Sequence, residues 1–265
     1  MSRPDATAVP VTLRAGRFRG ETRLGRRLRR CWPLAILGLA VVGLATTHLD
    51  LWIEDSFYDF QAMHWRWGAS WWANGLIHVG GIRLVIAVGV ASLAAALYPG
   101  PVTRRWAGLY LVACILLGPG LVRLGKEATN VDCPRQLARY GRDRAYVPLF
   151  EWKPDGAARG SCFPGGHSSG AFAFLGFFFL ARRRRPRLAP LALVAAASLG
   201  ATYAFGQWAR GAHFPSHDVA SALVCGSVAL GLDRYFGPRV SLTDGGVDPP
   251  EPGPARADRA PLETA

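Results

Sequence analysis

Acidic residues are scarce in this sequence, which has 18 Asp and Glu against 31 Lys and Arg in 265 residues. The sequence also lacks an internal repeat of useful length. We expect one central domain. Half of the residues are hydrophobic, and this composition by itself allows either a soluble basic protein or a membrane protein. The distribution of the apolar and basic residues decides between the two.

Charge is nearly absent from six apolar segments, each long enough, or nearly so, to cross a ~30 Å hydrocarbon core at about 20 residues per helix. These segments are 32–50, 75–99, 106–122, 168–181, 188–205 and 219–236. The fourth is the shortest. It crosses the membrane only if the arginines after it snorkel to the interface and residues on its His167 side extend the helix. We therefore predict an all-α, polytopic membrane protein, built as a six-transmembrane-helix bundle.

The positions of the basic residues predict the membrane topology. Arginines cluster before the first segment, between the second and third, and between the fourth and fifth. The positive-inside rule then places both termini and these loops in the cytoplasm, and the loops around 50–75, 123–166 and 207–217 outside. This arrangement argues against nucleic acid as a partner and predicts a multi-pass protein of the cell (inner) membrane, surrounded by membrane lipids.

A clear small-residue cleavage site is missing after the first apolar segment, and a long basic stretch precedes that segment. These features favour an uncleaved signal anchor over a cleaved signal peptide or a twin-arginine leader at Arg26-Arg27. We expect a disordered basic cytoplasmic tail at 1–30 and a membrane domain at 31–239. A second disordered cytoplasmic tail is expected at 240–265, where Pro, Gly and acidic residues replace apolar periodicity.

The second outer loop is unusually basic for its side of the membrane. Its cations are Lys126, Arg135, Arg139, Arg142, Arg144 and Arg159. They are either solvated and balanced by the four carboxylates of the loop, or they capture an anionic headgroup. We favour capture of a headgroup.

Polar residues form three clusters at predicted outer helix ends, at 126–135, 163–170 and 207–218. Lys126 and Arg210 can clamp phosphate oxygens, and two separate histidines, His167 and His213, can divide the nucleophile and acid roles. An aspartate near one histidine, Asp218, can fix its tautomer. Together these residue types predict phosphoryl transfer.

The first cluster resembles a motif of the type 2 phosphatidic acid phosphatase superfamily, and the resemblance extends over about residues 75–236. The family pattern is Lys, six residues, Arg-Pro; then Pro-Ser-Gly-His; then Ser-Arg, five residues, His, three residues, Asp. Lys126 and Pro134 match the first motif at the right spacing. Cys133 stands where the family has Arg, and Arg135 is a substitute cation two positions later.

The second motif matches at Pro164, Gly166 and His167, and Gly165 replaces the family's Ser. This replacement removes a hydroxyl and keeps the backbone amide. Both glycines allow close backbone approach, and the amides that open the next helix point towards an anion. Gly165 and Gly166 are therefore candidate phosphate-binding residues.

The third motif departs most from the family. Aligning His213 with the family's His puts His217 in the Asp slot and leaves Asp218 one residue late. Arg210 lies one helical turn beyond the expected Arg position and so on the same face. Aligning Arg210 instead puts Ser216 in the His slot, with His217 one residue late. We prefer His213 as the nucleophile and keep His217 as the alternative.

The resemblance implies a lipid-phosphate phosphatase that hydrolyses a phosphomonoester or diphosphate headgroup at the outer (periplasmic or exterior) face. His213 would attack phosphorus to give a phosphohistidine, and Asp218 would orient its other ring nitrogen. His167 would protonate the leaving alkoxide and then activate water, while Lys126, Arg210 and Arg135 hold the phosphate oxygens. This chemistry requires no cofactor and no metal.

Other interpretations stay open. The phosphoryl group could pass to another lipid or sugar, as in a phosphotransferase. In a metal-dependent membrane hydrolase His213 and His217, four residues apart, would be ligands on one helix face, but Pro215 argues against a continuous helix there. Residues 166–170 fit the Gly-x-Ser-x-Gly elbow of serine hydrolases, which needs a preceding strand. In a purely structural interpretation these polar residues only satisfy one another. The substrate could be phosphatidate, phosphatidylglycerol phosphate, an isoprenyl diphosphate or a lipid A phosphate.

Two of the five cysteines, Cys133 and Cys162, fall in the second outer loop, where the environment is expected to be oxidising. Each adjoins a motif, and both motifs must reach the same phosphate. We predict a disulfide between them, with two unpaired thiols as the alternative.

Overall fold

The computed structural model describes residues 23–241, with side chains from Cys31 onward. The tails expected at 1–30 and 240–265 therefore lie mostly outside the described residues. Where the two regions overlap, the chain is helical: the first helix begins at Arg23 and the last one ends at Ser241.

Helices make up most of the described chain. In chain order the elements are α1 (Arg23–Thr46), α2 (Leu49–Asp55), a ribbon of β1 (Tyr58–Asp59) and β2 (His64–Trp65), a π-helical segment (Trp72–Gly80) that continues into α3 (Gly81–Leu97), α4 (Val102–Thr129), 3₁₀ turns at Pro134–Gln136 and Ala138–Tyr140, α5 (Gly166–Phe172), α6 (Leu175–Arg184), a 3₁₀ turn at Pro186–Leu188, α7 (Ala189–Trp208) and α8 (Pro215–Ser241).

Four helical stretches within residues 23–241 are long and apolar enough to cross a membrane: Trp72–Leu97, Val102–Gln136, Pro186–Trp208 and Pro215–Ser241. A fifth is present if α1 and α2, bent by 73°, count as one span. The prediction of a polytopic helical membrane protein is confirmed at this level. That the chain crosses the membrane six times stays a prediction.

The fourth predicted span is broken into α5 and α6. Around Ala173 and Phe174 the backbone bonds join residues three apart, as in Phe174 N–H to the Ala171 carbonyl and Phe177 N–H to the Phe174 carbonyl. Such tight bonds interrupt an α-helix. The two short helices together replace the continuous helix that the sequence predicts.

Helix α8 lies at the centre of the bundle, where it packs against α1, α4, α5 and α6. Helix α3 packs on α4, and α7 packs on α5 and α6. This arrangement brings the start of α5, the end of α7 and the start of α8 together at one end of the bundle, which we call the site end.

A cap of aromatic residues covers the site end. Tyr58 of the ribbon, Leu137 and Tyr140 of the second loop, and Phe214 of the loop before α8 form one buried cluster. Asp55 at the end of α2 fastens the loop, since its carboxylate accepts hydrogen bonds from Arg139 (2.8 Å) and from Tyr140 (3.0 Å). The small ribbon is a departure from the all-α expectation, confined to this cap.

An ion pair fastens α6 to α8 at the opposite end. The Asp233 carboxylate is 3% exposed, and Arg183 donates to it through Nε (2.5 Å) and Nη2 (2.9 Å). Arg182 is a more distant partner at 3.5 Å. Two of the arginines that the positive-inside rule explains therefore also hold two helices together.

We expect Arg183→Gln to lower the free energy of unfolding by about 3 kcal/mol, because it leaves a buried carboxylate with one weak partner. Thermal unfolding in detergent measures the change. Arg184→Gln is the matched control, since Arg184 is exposed and forms no ion pair among residues 31–241. Equal melting temperatures for the two variants would contradict this role of the pair.

Candidate active site

Helix α8 begins at Pro215, so the histidines of the third motif lie on different elements. Proline suits a first helical position because it has no N–H to bond. Asp50 of α2 caps the helix, accepting hydrogen bonds from the Ser216 amide (2.8 Å) and the Ser216 hydroxyl. His213 therefore precedes the helix, whereas His217 and Asp218 lie in its first turn.

The carboxylate of Asp218 is the most densely bonded group at the site end. It is 1% exposed and accepts hydrogen bonds from Ser168 Oγ (2.5 Å) and His213 Nδ1 (3.0 Å) at Oδ1, and from Trp208 Nε1 (2.8 Å) at Oδ2. The three donors come from α5, from the loop before α8 and from α7. The carboxylate is thus buried and accepts hydrogen bonds at both oxygens.

His213 has a defined tautomer because its partner can only accept. The Nδ1 atom carries the proton that Asp218 binds, so Nε2 of the neutral ring keeps its lone pair. This is the arrangement of an imidazole nucleophile whose other nitrogen is oriented by a carboxylate.

His217 lies in a different environment. It is 2% exposed, packs against Phe163 and Phe214, and has no partner at Nδ1 among the described residues. Its ring centroid lies 6.2 Å from that of His213. The geometry therefore favours His213 over His217 as the reacting histidine.

Gly165 lies against the carboxylate of Asp218. A Cβ atom on Gly165 would lie 2.1 Å from Asp218 Oδ1 and 3.0 Å from His213 Nδ1. The Gly165 amide donates to the His217 carbonyl at 2.8 Å, so this amide is already used within the protein. Of the two glycines proposed to bind phosphate, Gly165 is occupied and Gly166, the first residue of α5, stays a candidate.

His167 belongs to the first turn of α5 and faces α3. Its Nε2 lies 3.2 Å from the carbonyl oxygen of Ile77, which can only accept, so Nε2 carries a proton. The ring stacks on Tyr203 of α7, with centroids 5.0 Å apart and planes 21° apart. Nδ1 is therefore the nitrogen that is left to exchange a proton with a ligand.

Two donors near the histidines lack an acceptor. Arg210 Nη1 and Gln207 Nε2 are buried and form no hydrogen bond within the described part of the chain. Burial and the neighbouring guanidinium of Arg135 both lower the pKa of Arg210. A buried cationic donor that lacks a partner, beside a neutral donor that also lacks one and near a second cation, is typical of an anion site.

The side chain of Lys126, at the end of α4, also lies at the site end. Its Nζ lies 3.3 Å from the Cys162 carbonyl oxygen and 3.4 Å from the Ser161 carbonyl oxygen, and Asp218 and Arg135 are among the charges near it. Arg135 is exposed, and its backbone amide donates to the Gly211 carbonyl at 2.8 Å. The first and third motifs are thus in direct contact.

Most other cations of the second loop have structural partners. Arg139 binds Asp55 at 2.8 Å, Arg144 binds Asp132 at 2.5 Å, and Arg159 donates to the Glu127 carbonyl. The loop is therefore not a uniform headgroup-binding surface. Among its motif cations, Lys126 and Arg135 are the ones that lie near the histidines.

Cys133 and Cys162 form a disulfide whose Cα atoms are 5.3 Å apart. It joins the segment after α4 to the segment before α5, which carry the first and second motifs. Within the described residues, Cys31, Cys114 and Cys225 are free thiols.

The Gly-x-Ser-x-Gly segment, residues 166–170, is helical and follows an irregular stretch instead of a strand. The N-cap residue of α5 is Gly165. The Ser168 hydroxyl donates to Asp218, a role that sequence reasoning missed together with those of Trp208 and Asp50. Their contacts join separate elements, and nothing in the local sequence marks them.

The helices bring histidine, aspartate and basic side chains together at one end of an apolar bundle, an arrangement suited to phosphoryl transfer in a membrane protein. The family model described as PAP2 superfamily matches residues 107–240, about half of the chain, and the chain belongs to this superfamily. A solved structure of a transmembrane PAP2-type phosphatidylglycerolphosphate phosphatase from Bacillus subtilis has a TM-score of 0.49 and 14% identity, covering 80% of this chain and 96% of its own. No curated protein matches the chain.

We expect Gly165→Ser, which restores the family residue, to reduce activity by roughly 10²-fold, because the new Cβ displaces the Asp218 carboxylate from His213. Phosphate release measures the effect. Gly120→Ala is the control, since its Cβ would meet nothing within 4 Å. Full activity of Gly165→Ser would show that Asp218 moves without consequence.

Proposed function

We propose that this chain is a membrane lipid-phosphate phosphatase that acts through a phosphohistidine at His213. The observation that supports it most is the His213–Asp218 pair, which leaves a nucleophilic lone pair on Nε2 at the same end of the bundle as the unpaired Nη1 donor of Arg210. Membership of the PAP2 superfamily supports phosphatase activity in general. Hydrolysis through these particular residues is the proposal.

The first step forms a bond between His213 Nε2 and phosphorus, and the bond from phosphorus to the ester oxygen breaks. The leaving oxygen takes a proton from His167 Nδ1. Asp218 stabilises the positive ring of His213 as its lone pair is used. The products of this step are the free lipid alcohol, or the lipid monophosphate for a diphosphate substrate, and the phosphohistidine.

The second step regenerates the enzyme. Water attacks phosphorus on the side of the departed lipid and gives a proton to His167 Nδ1, while the nitrogen–phosphorus bond breaks. Inorganic phosphate leaves, and both histidines return to their starting protonation. Lys126, Arg210 and Arg135 hold the phosphate oxygens, whose charge grows in both transition states.

A lipid chain has an apolar cavity available beside His167. The cavity has a volume of about 390 Å³ and runs between α3, α4, α5 and α7. His167 and Gly166 lie on its wall together with apolar residues such as Ile82, Val85 and Ile115. A phosphate at the histidines therefore has an apolar groove next to its ester oxygen, as a lipid headgroup requires.

We also propose the topology that this chemistry needs. With α5 and α6 acting as one broken span and α1 as another, the chain crosses six times, both termini are cytoplasmic, and the site end faces the periplasm or exterior. Exposed tryptophans at the site end, among them Trp52, Trp71 and Trp152, support an interfacial position. The disulfide also fits an oxidising compartment.

We expect His213→Ala to abolish phosphate release from a panel of lipid phosphates, and Arg210→Ala to lower it by about 10²-fold or more. His167→Ala, given p-nitrophenyl phosphate, should accumulate a phosphohistidine, because this leaving group needs no acid while the intermediate still needs an activated water. Mass spectrometry locates the phosphate. Melting temperatures show that the variants are folded.

Several outcomes would change the proposal. Activity in His213→Ala together with its loss in His217→Gln would show that the register is wrong. Loss of activity in chelator and recovery with zinc would favour a metal-dependent hydrolase. Transfer of phosphate to an added lipid or sugar in preference to water would make the protein a phosphotransferase.

Reporter fusions test the topology. We expect a reporter placed after Arg185 to read cytoplasmic and one placed near Ala157 to read external, because the positive-inside bias assigns these loops to opposite sides. Peptide mass mapping without reductant should also find Cys133 joined to Cys162. An external reading at Arg185 would place the site in the cytoplasm.

A further inference from the structure

A third histidine, His78, lies beside the candidate acid. It belongs to the π-helical segment Trp72–Gly80, outside all three motifs. Its ring centroid is 4.5 Å from that of His167, with the planes tilted by 40°. His78 Nδ1 is buried and has no hydrogen-bond partner in the described part of the chain.

The π-helical segment touches His167 twice. The carbonyl of Ile77 accepts the Nε2 proton of His167, and the next residue, His78, lays its ring against the imidazole. Tyr203 of α7 stacks on the same ring at 5.0 Å. His167 is therefore held at one edge by a carbonyl and is in contact with two rings.

The widened turn has a consequence for the geometry. In a π-helix the backbone hydrogen bonds join residues five apart. Single π-helical turns within α-helices recur at functional sites. Here consecutive residues direct a backbone acceptor and an aromatic ring to one imidazole.

We propose that His78 is a positioning residue for His167: its ring holds the imidazole so that Nδ1 delivers its proton to the leaving oxygen. This inference rests on the proposed function, in which His167 is the acid. His78 acts through its ring, and not through a nitrogen that touches the substrate.

The test compares two leaving groups. An alkyl phosphate such as octyl phosphate needs a proton on its leaving oxygen, whereas p-nitrophenyl phosphate does not. The ratio kcat/KM covers only the steps up to departure of the leaving group, so hydrolysis of the intermediate does not enter it. We expect His78→Ala to lower kcat/KM for octyl phosphate by roughly tenfold or more and to change that for p-nitrophenyl phosphate by less than about twofold.

The conservative variant separates the ring from its nitrogens. His78→Phe keeps an aromatic ring against His167 and should restore most of the activity on octyl phosphate. His64→Ala, which removes an exposed histidine from β2, is the matched control and should behave as wild type on both substrates.

Two outcomes would contradict the inference. An equal loss on both substrates would mean that His78 only maintains the fold of the site. A loss in His78→Phe as large as in His78→Ala would mean that a ring nitrogen contacts the substrate directly. A wild-type protein that hydrolyses neither phosphate would instead contradict the proposed function.

Discussion

The buried carboxylate of Asp218 is the interaction on which the rest of the site depends. At 1% exposure it must be fully hydrogen-bonded, since an unpaired buried charge costs several kcal/mol. Its donors, Ser168, Trp208 and His213, come from α5, α7 and the loop before α8. Satisfying one charged group therefore fixes where three separate parts of the chain meet, and it also fixes which nitrogen of His213 keeps a lone pair.

The same carboxylate connects two departures from the family pattern. The aspartate stands one residue later than the pattern has it, and glycine replaces serine before His167. In the structure the Asp218 oxygen occupies the space that a side chain at position 165 would need. The two changes are therefore geometrically compatible, because a side chain at position 165 would clash with Asp218 where it stands.

The basic residues of the bundle divide into those that have structural partners and those that remain available for chemistry. At the site end, Arg139 and Arg144 of the second loop are bound to carboxylates. At the opposite end, Arg183 fastens α6 to α8. Arg210, by contrast, is half-buried, and its buried Nη1 atom has no partner among the described residues. Charge alone does not distinguish these arginines, because their side chains are identical and only the presence of a nearby carboxylate decides which of them is neutralised.

Sequence alone determined the membrane-embedded helical class, the family resemblance and the residues of three polar clusters, because apolar length, residue type and spacing are local properties. Tertiary structure decided the rest. The break between α5 and α6, the ribbon, the bonds of Ser168 and Trp208 to Asp218, and the packing of His78 on His167 depend on contacts between distant segments. Helix packing sets those contacts, and the separation of two residues along the chain carries no information about whether their side chains meet.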